Sequence, residues 1–215
     1  MADEARDPRG TDSRTHWETV YSSKGRENLS WYEESPDTST ALVLTDGVPQ
    51  SVIDVGAGAS MLPDALLDAG VEHVTLLDLS MSALALTSVR LEERANRVTT
   101  IVGDVLTHVF DERYDVWHDR AVFHFLTNDV DRRHYVRLAE RTLKLGGSAV
   151  MATFAWDGPE RCSGLAVQRY DAGDLVEQCG QGFELIRSER YIHPTPSGSR
   201  QNFLFATFHR VPGGG

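Results

Sequence analysis

The 215-residue chain predicts an α/β fold: a doubly wound, seven-stranded sheet, mostly parallel, with an antiparallel C-terminal strand. Three observations carry this expectation. The β-branched run Val52-Ile53-Asp54-Val55 stops at Gly56-Ala57-Gly58, and a helical pattern (Met61, Leu62, Ala65, Leu66) follows at once. Strand-like segments tipped by polar or acidic residues then alternate with helical ones, which implies right-handed crossovers between parallel strands. Finally, Phe183–Tyr191 and Asn202–His209 alternate apolar and polar residues around Pro194-Thr195-Pro196-Ser197-Gly198, the pattern of a terminal hairpin.

Taken in order, Met1–Arg14 is charged and rich in Asp, Arg, Gly and Ser, and is expected to be a disordered tail. Thr15 is placed to cap a short helix, Glu18 to complete its capping box, and Trp17 and Tyr21 to share a face. A polar loop then carries Trp31-Tyr32, which either cover an open sheet edge or close over a ligand. Residues 36–44 form a helix into the core. Residues 1–14, 15–46 and 47–211 are thus read as tail, helical lid segment and ligand-binding domain.

In the first βα unit, glycine permits positive φ and close approach of a ligand, and free N–H groups at the helix start face that ligand. The helix from Leu62 ends at Gly70. The second strand, His73–Asp78, ends in an acid suited to ribose hydroxyls. A helix over 80–94 follows, with Ser80 as cap and Leu84, Val89 and Leu91 turned inward. The third strand, Val98–Val102, runs into Gly103-Asp104-Val105, where a carboxylate and a backbone N–H are placed to read a base edge. The fourth, Tyr114–Asp119, leads into Arg120-Ala121-Val122-Phe123-His124. A helix over 131–143 is expected to end at Gly146-Gly147, before a buried fifth strand, Ser148–Phe154, and a last helix over 171–179. The loop 161–170 after the fifth strand is either an ordinary surface loop or a wall of the site.

The ordered motifs Asp54-x-Gly56-x-Gly58-x-Ser60, Asp78, Gly103-Asp104-Val105 and Tyr114-Asp115…Asp119 resemble those of class I S-adenosylmethionine (SAM) dependent methyltransferases, a Rossmann-like family. Ser60 stands where glycine is usual. The Trp17…Tyr21 and Trp31-Tyr32 elements resemble a bacterial group of these enzymes, and the latter also a segment of some protein-lysine methyltransferases. The resemblance implies SAM as methyl donor, with S-adenosylhomocysteine as product. It implies cofactor contacts from Asp54, Gly56, Ala57, Gly58, Asp78, Leu79, Asp104 and Val105, with Tyr21 and Trp31 closing over them. Asp119 is the expected catalytic residue beside the methyl group. His124 is a candidate base by its place in the following helix, and His118, on the opposite strand face, is read as a packing residue.

A net charge of −11, with no basic cluster, disfavours nucleic acid as a partner. Two cysteines and no HExxH argue against a disulfide framework or a metal site. No apolar stretch reaches membrane-spanning length, so a cytoplasmic protein that does not associate with membranes is expected. The preferred acceptor is a small molecule. A protein lysine is the alternative, and a SAM-binding module without turnover, or another Rossmann nucleotide binder, the third reading.

Overall fold

The computed structural model describes residues 10–23 and 25–212, with side chains from Ser13 onward. Its elements are α1 (Gly10–Ser23), α2 (Asp37–Val43), β1 (Ser51–Val55), α3 (Leu62–Asp68), β2 (His73–Asp78), α4 (Met81–Leu91), β3 (Val98–Val102), β4 (Tyr114–Arg120), α5 (Asp129–Thr142), β5 (Leu143–Phe154), β6 (Arg161–Cys162), β7 (Leu165–Ala166), α6 (Ala172–Cys179), β8 (Phe183–Pro194) and β9 (Arg200–Arg210). The main sheet has the order β3-β2-β1-β4-β5-β9-β8. β1 to β5 are mutually parallel, and β9 runs against both β5 and β8. The expected seven-stranded α/β sheet with an antiparallel C-terminal strand is therefore present.

The strand order reverses between β1 and β4, so the carboxyl ends of these strands open a crevice where ligands of such sheets bind. Each face of the sheet carries its own core. Val55, Trp117, Tyr135 and Ala149 lie in one, and Val52, Leu66, Val116 and Phe154 in the other. A smaller cluster joins Tyr21, Leu29, Ala59 and Ala83, with Trp17 and Trp31 packed on it. That third cluster carries the N-terminal segment across the crevice.

Several local expectations need correction. Residues 1–9 lie outside the described residues, but Gly10–Arg14 of the expected tail open α1. Thr15 therefore sits inside that helix, its carbonyl accepting from Thr19 Oγ1 at 2.7 Å, and is not its N-cap. Glu18 instead reaches the start of α4. It accepts from Ser80 Oγ at 2.8 Å and from the Ser82 hydroxyl, bonds that lower its pKa. Val89 is 79% exposed, whereas Leu84 and Leu91 are buried. α4 stops at Leu91, and the chain continues as a 3-10 turn, Glu92–Arg97.

Gly146-Gly147 does not end α5, because α5 passes directly into β5 at Leu143. The pair lies within that strand, where the β4–β5 register shifts between Tyr114 and Val116. A Cβ on Gly147 would stand 2.7 Å from the Asp115 carbonyl oxygen, so close backbone approach is what requires glycine there.

Ser80 is the N-cap of α4, accepting from Ala83 N–H at 3.1 Å while donating to Glu18. Ser80→Ala removes both bonds. It is expected to cost about 1 kcal/mol of folding free energy, read as a lower urea midpoint.

Candidate functional site

A cavity of about 460 Å³ occupies the crevice. Its floor is built from strand ends. Asp54 near the tip of β1, Asp78 at the tip of β2 and Asp104 just beyond β3 all line it, together with Gly56, Ala57, Leu79 and Val105. Tyr21 and Trp31 line it from the N-terminal segment. The structure thus brings nine of the ten expected cofactor residues to one cavity. The tenth, Gly58, contributes through its backbone N–H, which donates to Asp78 Oδ2 at 2.8 Å.

Asp78 organises this floor. Its Oδ2 takes the Gly58 N–H and its Oδ1 the Ser80 N–H, also at 2.8 Å. One carboxylate therefore holds the glycine turn after β1 against the start of α4. Burial pushes its pKa up to about 6 against the pull of those two N–H groups. Gly58 has φ +53°, and a Cβ there would meet the Tyr21 hydroxyl at 2.2 Å. The glycine is needed both for the turn and for the approach of the N-terminal helix. Asp104 Oδ1 accepts from Leu106 N–H at 2.9 Å, so this residue shapes its own turn as well as lining the cavity.

The acid of β1 is neighboured by an imidazole. Asp54 and His118 are paired in the β1–β4 register and lie on the same face. His118 Nδ1 is 2.7 Å from Asp54 Oδ1, and His118 Nε2 is 2.9 Å from Ser39 Oγ on α2. All three line the cavity and all are buried. Two positions along β4, Arg120 faces the same way. Its Nη1 donates to the Trp31 carbonyl at 2.8 Å, and its Nη2 pairs with Glu33 at 3.0 Å. His193 of β8 completes this cluster, with Nε2 2.8 Å from the Ser30 carbonyl oxygen and Nδ1 3.3 Å from Glu33. Burial alone would raise the Glu33 carboxyl, but His193 and Arg120 hold it below its ordinary value.

The wall opposite the acids is aromatic. Trp17 stands edge-on to Trp31 at 5.7 Å and to Phe125 at 5.3 Å, and all three line the cavity. Cys162, Leu165 and Ala166 of the β6–β7 ribbon add an apolar side, so the loop after β5 does form a wall. Burial pushes the Cys162 thiol up to about 12, which makes it a packing residue rather than a nucleophile. Among the described residues no group of His, Cys, Asp and Glu is arranged to hold a metal ion. None of their helices is long and apolar enough to cross a membrane.

The two expected catalytic residues lie outside the cavity lining. Asp119 faces α5 and is fully buried. It accepts from Val122 N–H at 2.8 Å, from Phe123 N–H at 3.0 Å and from the Tyr135 hydroxyl. Burial pushes its pKa up to about 6 against those donors. These bonds brace the turn after β4. His124 lies in a 3-10 turn, not a helix. It is fully buried among Phe125 and Phe154, and its Nδ1 accepts from Phe154 N–H at 3.3 Å. Burial pushes its pKa down to about 3, so the ring is uncharged at neutral pH.

Residues that the motifs did not single out are Ser39, Glu33, Arg26 and Phe125, all on the cavity wall. For His118 the signal was present: strand alternation from Asp119 and a parallel pairing with Asp54 put it on the ligand side.

Residues 52–147 match the model of a family described as a methyltransferase domain. The chain is 24% identical over 209 residues to human EEF1A lysine methyltransferase 2, covering 89% of this chain and 81% of that one. Among solved structures it resembles the Burkholderia thailandensis 1,6-didemethyltoxoflavin-N1-methyltransferase with bound 1,6-didemethyltoxoflavin and S-adenosylhomocysteine. That likeness has a TM-score of 0.73 at 18% identity, over 99% of this chain and 94% of the other. It also resembles the N-methyltransferase NodS of Bradyrhizobium japonicum in complex with S-adenosylhomocysteine, with a TM-score of 0.71 at 14% identity, over 92% and 100% of the two chains. The chain thus has the fold of these methyltransferases, and the methyltransferase-domain match spans a little under half of it.

Tyr135 donates to Asp119 and accepts from Trp117 Nε1 at 3.0 Å. Tyr135→Phe leaves both buried partners short of a bond and is expected to cost about 2 kcal/mol in urea unfolding. Because Asp119 lies outside the cavity, calorimetric affinity for SAM should not change.

Proposed function

We propose that this methyltransferase fold moves a methyl group from SAM to a small-molecule acceptor. The observation that carries the reading is the convergence of Asp54, Asp78 and Asp104, from three adjacent strand ends, on one cavity. Carboxylates buried at successive strand tips cost free energy unless they meet donors, and an adenosyl ligand carries such donors along its length. Asp78 spends one acceptor direction of each oxygen on a backbone N–H. The directions left suit the two ribose hydroxyls. Asp104 suits the adenine amine, with Leu79 and Val105 against the base. Asp54 and the Gly56–Ala57 backbone border the methionine end, and Tyr21 and Trp31 cover the whole.

SAM supplies a methyl group already activated by its sulfonium. The protein's work is to hold the nucleophile in line with that methyl and to keep water away. The aromatic wall of Trp17, Trp31 and Phe125 and the apolar ribbon around Leu165 serve that exclusion. An acceptor framed by such walls is a compact, largely apolar molecule. The acidic surface, with its net charge of −11, favours neutral or cationic acceptors.

A protein lysine is the second reading, favoured by the likeness to human EEF1A lysine methyltransferase 2 across most of both chains. Methyl-labelled SAM added with the enzyme to a cell lysate separates the two. Label in the small-molecule fraction supports the first reading, and label in a protein band replaces it with the second.

Asp78→Ala should lower calorimetric SAM affinity at least tenfold while the fold survives, and unchanged affinity would remove the ribose assignment. The pH dependence has a definite sign. Asp78 is protonated below about 6 in the free protein, and only its ionised form offers both oxygens as acceptors to the two ribose hydroxyls. Affinity should therefore be full above that pH and fall by up to about tenfold per unit below it.

A further inference from the structure

We infer that Ser39, His118 and Asp54 form a proton relay, and that the acceptor methylated in this cavity carries an N–H or O–H whose proton leaves through it. This rests on the function proposed above.

The hydrogen-bond chain fixes the roles. His118 Nδ1 faces the Asp54 carboxylate at 2.7 Å, an acceptor, so the ring proton sits on Nδ1. Nε2 then keeps its lone pair and faces the Ser39 hydroxyl at 2.9 Å. A hydroxyl donates one proton and accepts others, so Ser39 can pass one proton to Nε2 while taking another from a group in the cavity. The three residues come from β1, β4 and α2 and are each at most 3% exposed, so bulk water does not compete for these bonds. Buried polar groups of this kind have one arrangement or lose their partners.

The other candidates on the cavity wall are engaged differently. Glu33 is held by Arg120 and His193, Asp78 by two backbone N–H groups, and Asp104 by Leu106 N–H. His118 is the one imidazole lining the cavity among the described residues. The charged groups around it are Asp54 from β1, Asp119 from the far face of β4, and the Glu33–Arg120 pair from the lid side.

The step balances. The acceptor nitrogen or oxygen forms a bond to the methyl carbon, and the carbon–sulfur bond breaks with its electron pair on sulfur. The acceptor's proton passes to Ser39 Oγ as the Ser39 proton passes to His118 Nε2. The resulting imidazolium faces Asp54, and its extra proton returns to water when product leaves. Asp54 is a positioning residue here: it sets the tautomer and faces the imidazolium.

Two measurements test this. In protein labelled with ¹⁵N-histidine, with S-adenosylhomocysteine added, the His118 resonances should report a protonated Nδ1 and a bare Nε2. Ser39→Ala should shift the Nε2 signal, and a bare Nδ1 would overturn the relay. With SAM kept saturating at every pH, so that the Asp78 dependence drops out, transfer of tritium from methyl-labelled SAM into the small-molecule fraction of a lysate should rise with pH along a single-proton limb. His118→Asn should lower the rate about a hundredfold and flatten that limb, while calorimetric SAM affinity stays within about threefold. Ser39→Ala should act in the same direction. A variant that keeps the wild-type limb overturns the relay, as does a wild type that binds SAM and transfers nothing. Failure of the wild type to bind SAM overturns the proposed function instead.

Discussion

A carboxylate at the end of an apolar strand has to find donors, and Asp78 finds them in backbone that belongs to two other elements. Its bonds to Gly58 and Ser80 pull the turn after β1 and the start of α4 toward one point. The positive φ of Gly58, the capping of α4 by Ser80 and the reach of Glu18 from α1 to that same serine all meet within this contact. The geometry of the crevice follows from satisfying a single buried acid. The same acid, with its raised pKa, is left facing the cavity.

The strands beside it divide their labour by alternation. On β4, Trp117 and Asp119 face α5, where they join Tyr135 in a buried hydrogen-bonded group. His118 and Arg120 face the crevice and take hold of the N-terminal segment through Ser39, Trp31 and Glu33. One strand thus stiffens the turn behind the site with one set of side chains and fastens the cover in front of it with the other. The burial of Asp119 is a consequence of this division.

Most of the fold was legible in the chain because its signals are local. β-branched runs, Gly-x-Gly, Ser80 and the terminal hairpin each report on a few neighbouring residues. The acids that floor the cavity were legible for the same reason, since acids at strand tips recur at readable intervals. The misreadings arose where a distant partner decides. Thr15 reads as a cap only while the start of α1 at Gly10 is hidden, and Gly146-Gly147 reads as a helix stop only while the Asp115 carbonyl is out of view. The motif points to Asp119, whereas the cavity is lined by its neighbour His118. Which face of β4 opens to the cavity depends on α5 supplying Tyr135 to one side and α2 supplying Ser39 to the other.

The edge-on pair of Trp17 and Trp31 has an optical consequence. Of the four tryptophans, Trp117 is sealed in the core and Trp156 stands 62% exposed on the surface, so neither adjoins the crevice. Trp17 and Trp31 touch each other and the cavity, and indole emission follows the polarity around the ring. The colour of the protein's own fluorescence therefore registers whether this wall of the cavity is dry or wet, and occupancy can be followed with no added dye.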